Sequence, residues 1–124
     1  MRRVMITAAA LAALTVAFAA AAPASAGFGA IAYDQYAGNE GASWNQPSEA
    51  QANEQALKQC ASADCRVHSV KPKACGALAR SDKDKAWGGA ERETLDKAKR
   101  DAVGRCKTHT QIGTCLVKVS GCNK

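Results

Sequence analysis

After an uncharged, apolar run over residues 4–22, the chain settles into short stretches of alternating apolar and polar residues, broken twice by a helical period. Ile31 and Tyr33 lie two apart, as the buried side of a strand requires. Gly38-Asn39-Glu40-Gly41 supplies a turn, and a second short strand is predicted around Ser43-Trp44. From Ser48 the spacing lengthens, and Ala52, Ala56, Leu57 and Cys60 share one face of a predicted helix. Cys65-Arg66-Val67 then returns to a strand. The series is written again further on. Leu78 and Ala79 lead into the polar turn Ser81-Asp82-Lys83-Asp84-Lys85, Trp87 follows, and a helix from Thr94 carries Leu95, Ala98, Ala102, Val103 and Cys106 on one face. Cys115-Leu116-Val117 closes it.

Gly29-Ala30-Ile31-Ala32 is echoed by Gly76-Ala77-Leu78-Ala79, and the small residues of the two helices match at a constant spacing of 46. Trp44 and Trp87 read as occupying related places in the two copies. The predicted fold class is therefore α+β: two similar strand-strand-helix-strand units sharing one core. Ser48-Glu49-Ala50-Gln51 fits a capping box, and Pro47 restricts Gln46 to extended geometry. Thr94 is the expected cap of the second helix, where Lys97 lacks the acceptor for a full box. Lys99 interrupts the apolar stripe and is expected to snorkel. Asp96 with Arg100, and Asp101 with Arg105, are acid-before-base pairs one turn apart.

The first 26 residues change the picture of where the chain works. Arg2 and Arg3 precede the apolar run, Pro23 breaks it, and Ala24-Ser25-Ala26 gives the small-x-small pattern of a signal-peptidase site. A membrane anchor is the competing reading, because the run approaches the ~20 residues a span needs. Its weakly apolar alanines and the cleavage site directly after it favour a signal peptide. No Cys lies near the cleavage point to take a lipid, and the residues flanking the Arg pair do not fit a twin-arginine signal. Cleavage after Ala26 leaves one secreted domain, 27–124, of 98 residues. No later stretch is apolar enough to span a bilayer, so the processed protein is expected to be soluble; a monomer, outside the cytoplasm or in the cell envelope, is the further expectation.

A chain this short buries a modest core and benefits from covalent staples. All six Cys lie after residue 26, which in an exported domain points to three disulfides. Fifteen pairings are open to six cysteines. The repeat symmetry selects Cys60 with Cys65, Cys106 with Cys115, and Cys75 with Cys122. Charge is uneven. Without Arg2 and Arg3, 15 basic against 11 acidic side chains leave +4, split as −2 over 27–72 and +6 over 73–124. The basic half suggests an acidic partner.

Candidate chemistry is sparse. His68 sits on a predicted strand, where the adjacent Ser69 points to the opposite face, and His109 lies in a polar link. Neither has a visible nucleophile or base beside it. A Cys/His zinc site lacks a CxxC pair, and no metal or other cofactor is expected. Asp82 and Asp84 read as a solvated hairpin tip rather than a calcium loop. Glu91 and Glu93 are placed just before the second helix, where negative charge complements its dipole. The tryptophans read as packing residues, with a sugar-stacking platform as the alternative. Lys97, Arg100 and Arg105 form a candidate basic binding face, joined by Lys107, for an unknown protein or an anionic surface. With Trp87 the one aromatic residue of the basic half, nucleic acid is disfavoured.

GAIAY at 29–33, SWN-x-PS at 43–48, LKQC at 57–60, CRV at 65–67, ACGALA at 74–79 and Trp87-Gly88 together resemble the bacterial secreted family named domain of unknown function 4189, in particular its small secreted mycobacterial members. The resemblance spans nearly the whole chain after residue 26. It implies an exported, disulfide-bearing domain with no catalytic residues assigned, and, for relatives from pathogens, candidates for host-directed effectors. Glu91-Arg92-Glu93 is more charged than the family pattern. The functional expectation is a secreted, non-catalytic binding or effector module of unknown target; the alternative is a small extracytoplasmic hydrolase or an inhibitor of such an enzyme. Mass spectrometry of protein recovered from culture medium or envelope should give a chain beginning at Gly27. An intact Met1 on a membrane-embedded protein would refute the signal peptide.

Overall fold

Alternation along a strand gives the first β-segment two unlike faces: Ala30 and Ala32 on one, Ile31 and Tyr33 on the other. A computed structural model describes residues 27–124, so the predicted signal peptide lies outside the described residues. Strands β1 (Phe28–Tyr33) and β2 (Glu40–Gln46) form an antiparallel hairpin. Helix α1 (Glu49–Cys60) follows, and β3 (Arg66–Val70) returns to the far side of β1. The second unit repeats the series with β4 (Cys75–Ser81), β5 (Trp87–Arg92), α2 (Leu95–Lys107) and β6 (Cys115–Cys122). Each unit is a three-stranded antiparallel sheet with its first strand in the middle, in the orders β2-β1-β3 and β5-β4-β6.

The small faces go to the helices. Ala30 and Ala32 pack on Ala52, Ala56 and Cys60 of α1, while Ala77 and Ala79 pack on Ala98, Ala102 and Cys106 of α2. The larger faces meet each other, with Ile31, Val70 and Leu78 buried among Trp44, Trp87 and Val119. The layers therefore run helix, sheet, sheet, helix. The core shared by both units is the inter-sheet layer, and each unit also keeps a cluster of its own beneath its helix. Ser48 Oγ caps α1 through the Gln51 amide at 3.1 Å, and Thr94 Oγ1 caps α2 through the Lys97 amide at 3.3 Å.

Two glycines set how close the helices come. Gly41 lies opposite Ala32 in β2, and Gly88 lies opposite Ala79 in β5. A Cβ at Gly41 would collide with the Ala56 carbonyl, and one at Gly88 with the backbone at Ala102 and Cys106. Helix backbone thus rests on sheet backbone in both units. The helix ends are tied as the repeat predicts. Cys60–Cys65 and Cys106–Cys115 each fasten a helix C-terminus to the following strand or its approach, and Cys75–Cys122 joins β4 to β6 with Cα atoms 3.9 Å apart.

Polar side chains couple the units. Arg80, only 7% exposed, donates from Nη1 to the Asp34 carbonyl at 2.9 Å in the β1–β2 turn. The Asp34 carboxylate is buried too. A hydrogen bond from Ser62 and backbone amides of Ala37 and Tyr36 hold it below the usual carboxylate range. At the C-terminus the Asn123 carboxamide donates to the carbonyls of Val70 and Lys71 and accepts from the Asn45 amide.

Three expectations are corrected here. Trp44 and Trp87 are not equivalent: Trp87 pairs with Arg80 at the start of β5, where the matching residue of β2 is Glu40, paired with Tyr33. Glu91 lies within β5 rather than before the helix. On α2, Asp101 pairs with Arg92 of β5 at 2.7 Å, and Arg105 reaches the Gly89 carbonyl at 2.6 Å. Among the described residues neither the Asp96–Arg100 nor the Asp101–Arg105 pair forms; backbone and tertiary partners outcompete exposed neighbours one turn away.

A Gly88→Ala change should destabilise the protein by about 1–3 kcal/mol, since its methyl group meets helix backbone that cannot move alone. Gly104→Ala on α2, with nothing within 4 Å of the added carbon, should instead stabilise by about 0.5–1 kcal/mol. Chemical denaturation of both variants checks the pair.

Candidate functional site

A pseudo-twofold relation sets β2 in contact with β6 on one side of the sandwich and leaves β3 and β5 on the other as walls of a common gap. The two sides carry different residues at matching places. On the β2/β6 side the Trp44 indole lies over Gly29, Gly76 and Gly121, where any added Cβ would strike or crowd the ring, and Val119 packs beside it. That side is closed.

On the β3/β5 side the register changes each filler. Glu91, opposite Gly76, stands where Trp44 stands beside Gly29. His68, opposite Ile31, takes the place that Val119 has opposite Leu78. Gly89, opposite Leu78, takes the place that Ala42 has opposite Ile31. Polar, charged and absent side chains do not fill an inter-sheet gap, and a groove of about 550 Å³ remains. Its volume falls in the range of small-ligand sites.

Ile31 and Leu78 form the apolar depth of the groove. Tyr33 and Trp87 make an aromatic wall, with ring centroids 4.2 Å apart and planes tilted by 43°. Burial pushes the Tyr33 phenol above its usual pKa, partly opposed by the Arg66 charge. Arg66, Arg92 and Arg105 stand at the rim with His68. Glu91, the one carboxylate on the lining, accepts the Lys71 amide at 2.8 Å. The site is thus apolar within and positively charged at its mouth.

The basic residues singled out by sequence separate in space. Arg105 turns to the groove through the Gly89 carbonyl, while Lys97 lines a different hollow with Lys71, Lys73 and Glu93. Arg100 is exposed on α2 and lines neither. Ser69 faces α1, within 2.9 Å of Glu49 and Asn53, so it is turned away from His68. His109 is exposed in the loop after α2. Asp82 accepts the Thr114 amide at 2.7 Å, and Asp84 accepts the Thr110 hydroxyl at 2.6 Å. Those bonds fasten the second hairpin to the loop after α2, and the Thr110 bond foremost, with the Ser81 side chain and the Ala86 amide, holds the Asp84 carboxyl below its usual range. Among the described residues no group of three His, Cys, Asp or Glu side chains is placed to hold a metal. Sequence reasoning missed Tyr33, Arg66 and Gly89 as site residues. Only the Gly88-Gly89 doublet hinted that the second glycine had a separate purpose.

The two tryptophans should respond differently to truncation. Trp44→Ala, which empties the closed side, should cost about 3–5 kcal/mol. Trp87→Ala should cost clearly less, because that ring borders open space. Denaturation midpoints of the two variants at a common slope decide the comparison.

Among the described residues no helix is long and apolar enough to cross a membrane. Protein Rv1269c of Mycobacterium tuberculosis is 37% identical over 96 residues, covering 77% of this chain and 69% of the relative, and Protein Mb1300c of Mycobacterium bovis matches to the same extent. The NMR structure of Rv1813c from Mycobacterium tuberculosis superposes with a TM-score of 0.60 at 24% identity, covering 99% of both chains, and shares the fold. The family model for a domain of unknown function, DUF4189, matches residues 28–122, taking in both sheets, both helices and all three disulfides, and the chain belongs to that family.

Proposed function

We propose that the protein is an exported, non-catalytic binding module that holds its ligand in the groove between β3 and β5. The observation that carries this reading is the asymmetry of the sandwich. One side of the inter-sheet layer is sealed by Trp44, while the matching side is left open, aromatic-walled and rimmed by arginines. An opening kept in a domain with so little core to spare costs burial, and a ligand that fills it would restore that burial. Export is supported by the features of residues 1–26 and by three disulfides, which suit an oxidising compartment. The target then lies outside the cytoplasm, on a host or in the bacterial envelope. His68, Glu91 and Tyr33 are the candidate acids or bases on the groove, and its lining holds no Ser, Thr or Cys among the described residues. Exposed Lys97 and Arg100 on α2, with Arg105 at the groove, would add long-range attraction for an acidic surface.

The test is a titration of ¹⁵N-labelled protein with short peptides and small apolar acids. Shifts should gather at Tyr33, Val67, Gly89 and Ala90, and should vanish in Gly89→Phe. That variant fills the groove without straining the fold, since a Cβ at Gly89 meets only ordinary contacts, the nearest at 3.7 Å. Hydrolysis of ester, peptide or glycoside reporters that is lost in His68→Ala would overturn the non-catalytic reading.

A further inference from the structure

We propose that the groove takes an extended acidic segment of a partner protein, which adds as a strand to the outer edge of β3. This deepens the binding-module reading and rests on it. The inference begins with where the backbone groups of each edge strand point. In an antiparallel ladder, the amide and carbonyl of one residue face the same neighbour, and successive residues face opposite neighbours. The Asp34 amide donates to the Asn39 carbonyl at 2.9 Å, which turns Ala32 and Ala30 toward β2. Gly29, Ile31 and Tyr33 then face β3, and their partners Val70, His68 and Arg66 face back. Val67 and Ser69 are left pointing outward. The next outward amide, Lys71, is taken by Glu91.

Two of the other edges, those of β5 and β2, carry side-chain caps, and β6 borders the side closed by Trp44 rather than the groove. The Ser81 amide donates to the Ala86 carbonyl, which turns Gly89 and Glu91 of β5 outward. Arg105 caps the Gly89 carbonyl at 2.6 Å and Arg92 caps that of Glu91 at 2.7 Å. In β2 the Ala42 amide is capped at 3.0 Å by Gln59, the α1 residue at the repeat place of Arg105. No side chain of the described residues caps the backbone of Val67 or Ser69, and the Val67 side chain is 37% exposed. An open edge beside a groove is the arrangement by which sheets accept an extended peptide.

The chemistry of the lining selects the segment. A strand beside β3 would send alternate side chains toward the inter-sheet gap, where Trp87 and Leu78 suit an apolar residue and Gly89 leaves room. Arg66 and His68 lie on the same face of β3, with Arg105 across the gap, and the single lining carboxylate is already engaged. Acidic residues flanking the apolar one complement that rim.

The probe is a synthetic seven-residue peptide alternating Glu with Val, with Phe at its centre, titrated against the whole processed protein. Two control peptides carry Lys in place of Glu, or N-methyl groups on the amides that would face β3. The acidic peptide should bind with shifts at Val67, Ser69 and Gly89, weaken steeply with salt, and lose about tenfold or more in affinity on N-methylation. Val67→Pro, which removes an outward amide and leaves the β1 ladder intact, should weaken it equally while circular dichroism stays unchanged. Arg66→Gln gives a second variant that keeps the edge and reduces the charge term. Equal binding of the Lys or N-methylated peptide would overturn the proposal. So would binding of decanoate or an aryl carboxylate, lost in Gly89→Phe, without binding of the peptide; that outcome keeps the binding groove and replaces its occupant. Failure of every probe in wild-type protein would overturn both readings.

Discussion

Each helix rests directly on the backbone of its sheet, and that close approach governs the rest of the molecule. Gly41 and Gly88 make it possible by presenting no side chain where α1 and α2 pass. The consequence is a helix–sheet interface of alanines, Ala30 and Ala32 on Ala52 and Ala56, Ala77 and Ala79 on Ala98 and Ala102. Alanine interfaces are well packed and bury little apolar surface per residue, so the hydrophobic term from these layers is small. Cys60 and Cys106, at the ends of the helices, tie the elements that this thin core holds weakly. Closing even short loops reduces the entropy of the unfolded chain by an amount worth roughly 2–4 kcal/mol each, comparable to a large share of a small domain's stability.

The larger apolar residues are consequently concentrated between the sheets, and there the duplication is broken. Trp44 fills one side over three glycines from both sheets. The same place in the other unit holds Glu91, with His68 and Gly89 as its neighbours on the lining. The pseudo-symmetric framework sets two equivalent gaps, and side-chain size decides that one is core and the other a groove. Arg80 and Asn123 keep the units in register across this layer, each by hydrogen bonds from a nearly buried side chain to backbone carbonyls of the first unit. Losing either would leave unpaired carbonyls away from water, which makes the relative placement of the sheets specific as well as stable.

The sequence by itself determined the units, their order and their staples. Helical spacing of Ala52, Ala56 and Cys60, the caps Ser48 and Thr94, and the turn residues around Gly38 and Asp82 are local signals, and local signals survive without knowledge of the fold. The internal repeat extended them to the disulfide pairs, because equivalent cysteines close equivalent loops. What the tertiary structure alone decided was the stacking of one sheet on the other. Sequence similarity placed Trp44 and Trp87 together, yet strand register puts them at different depths of different gaps. Arg105 read as a surface charge with a helical neighbour, and it is held by a β5 carbonyl that no spacing rule connects to it. Arg66, Tyr33 and Gly89 became site residues only when β3 and β5, joined to their sheets through separate ladders, were brought face to face. Periodicity records which side of an element is buried, but it carries no information on which other element covers that side, and the groove exists in that second relation.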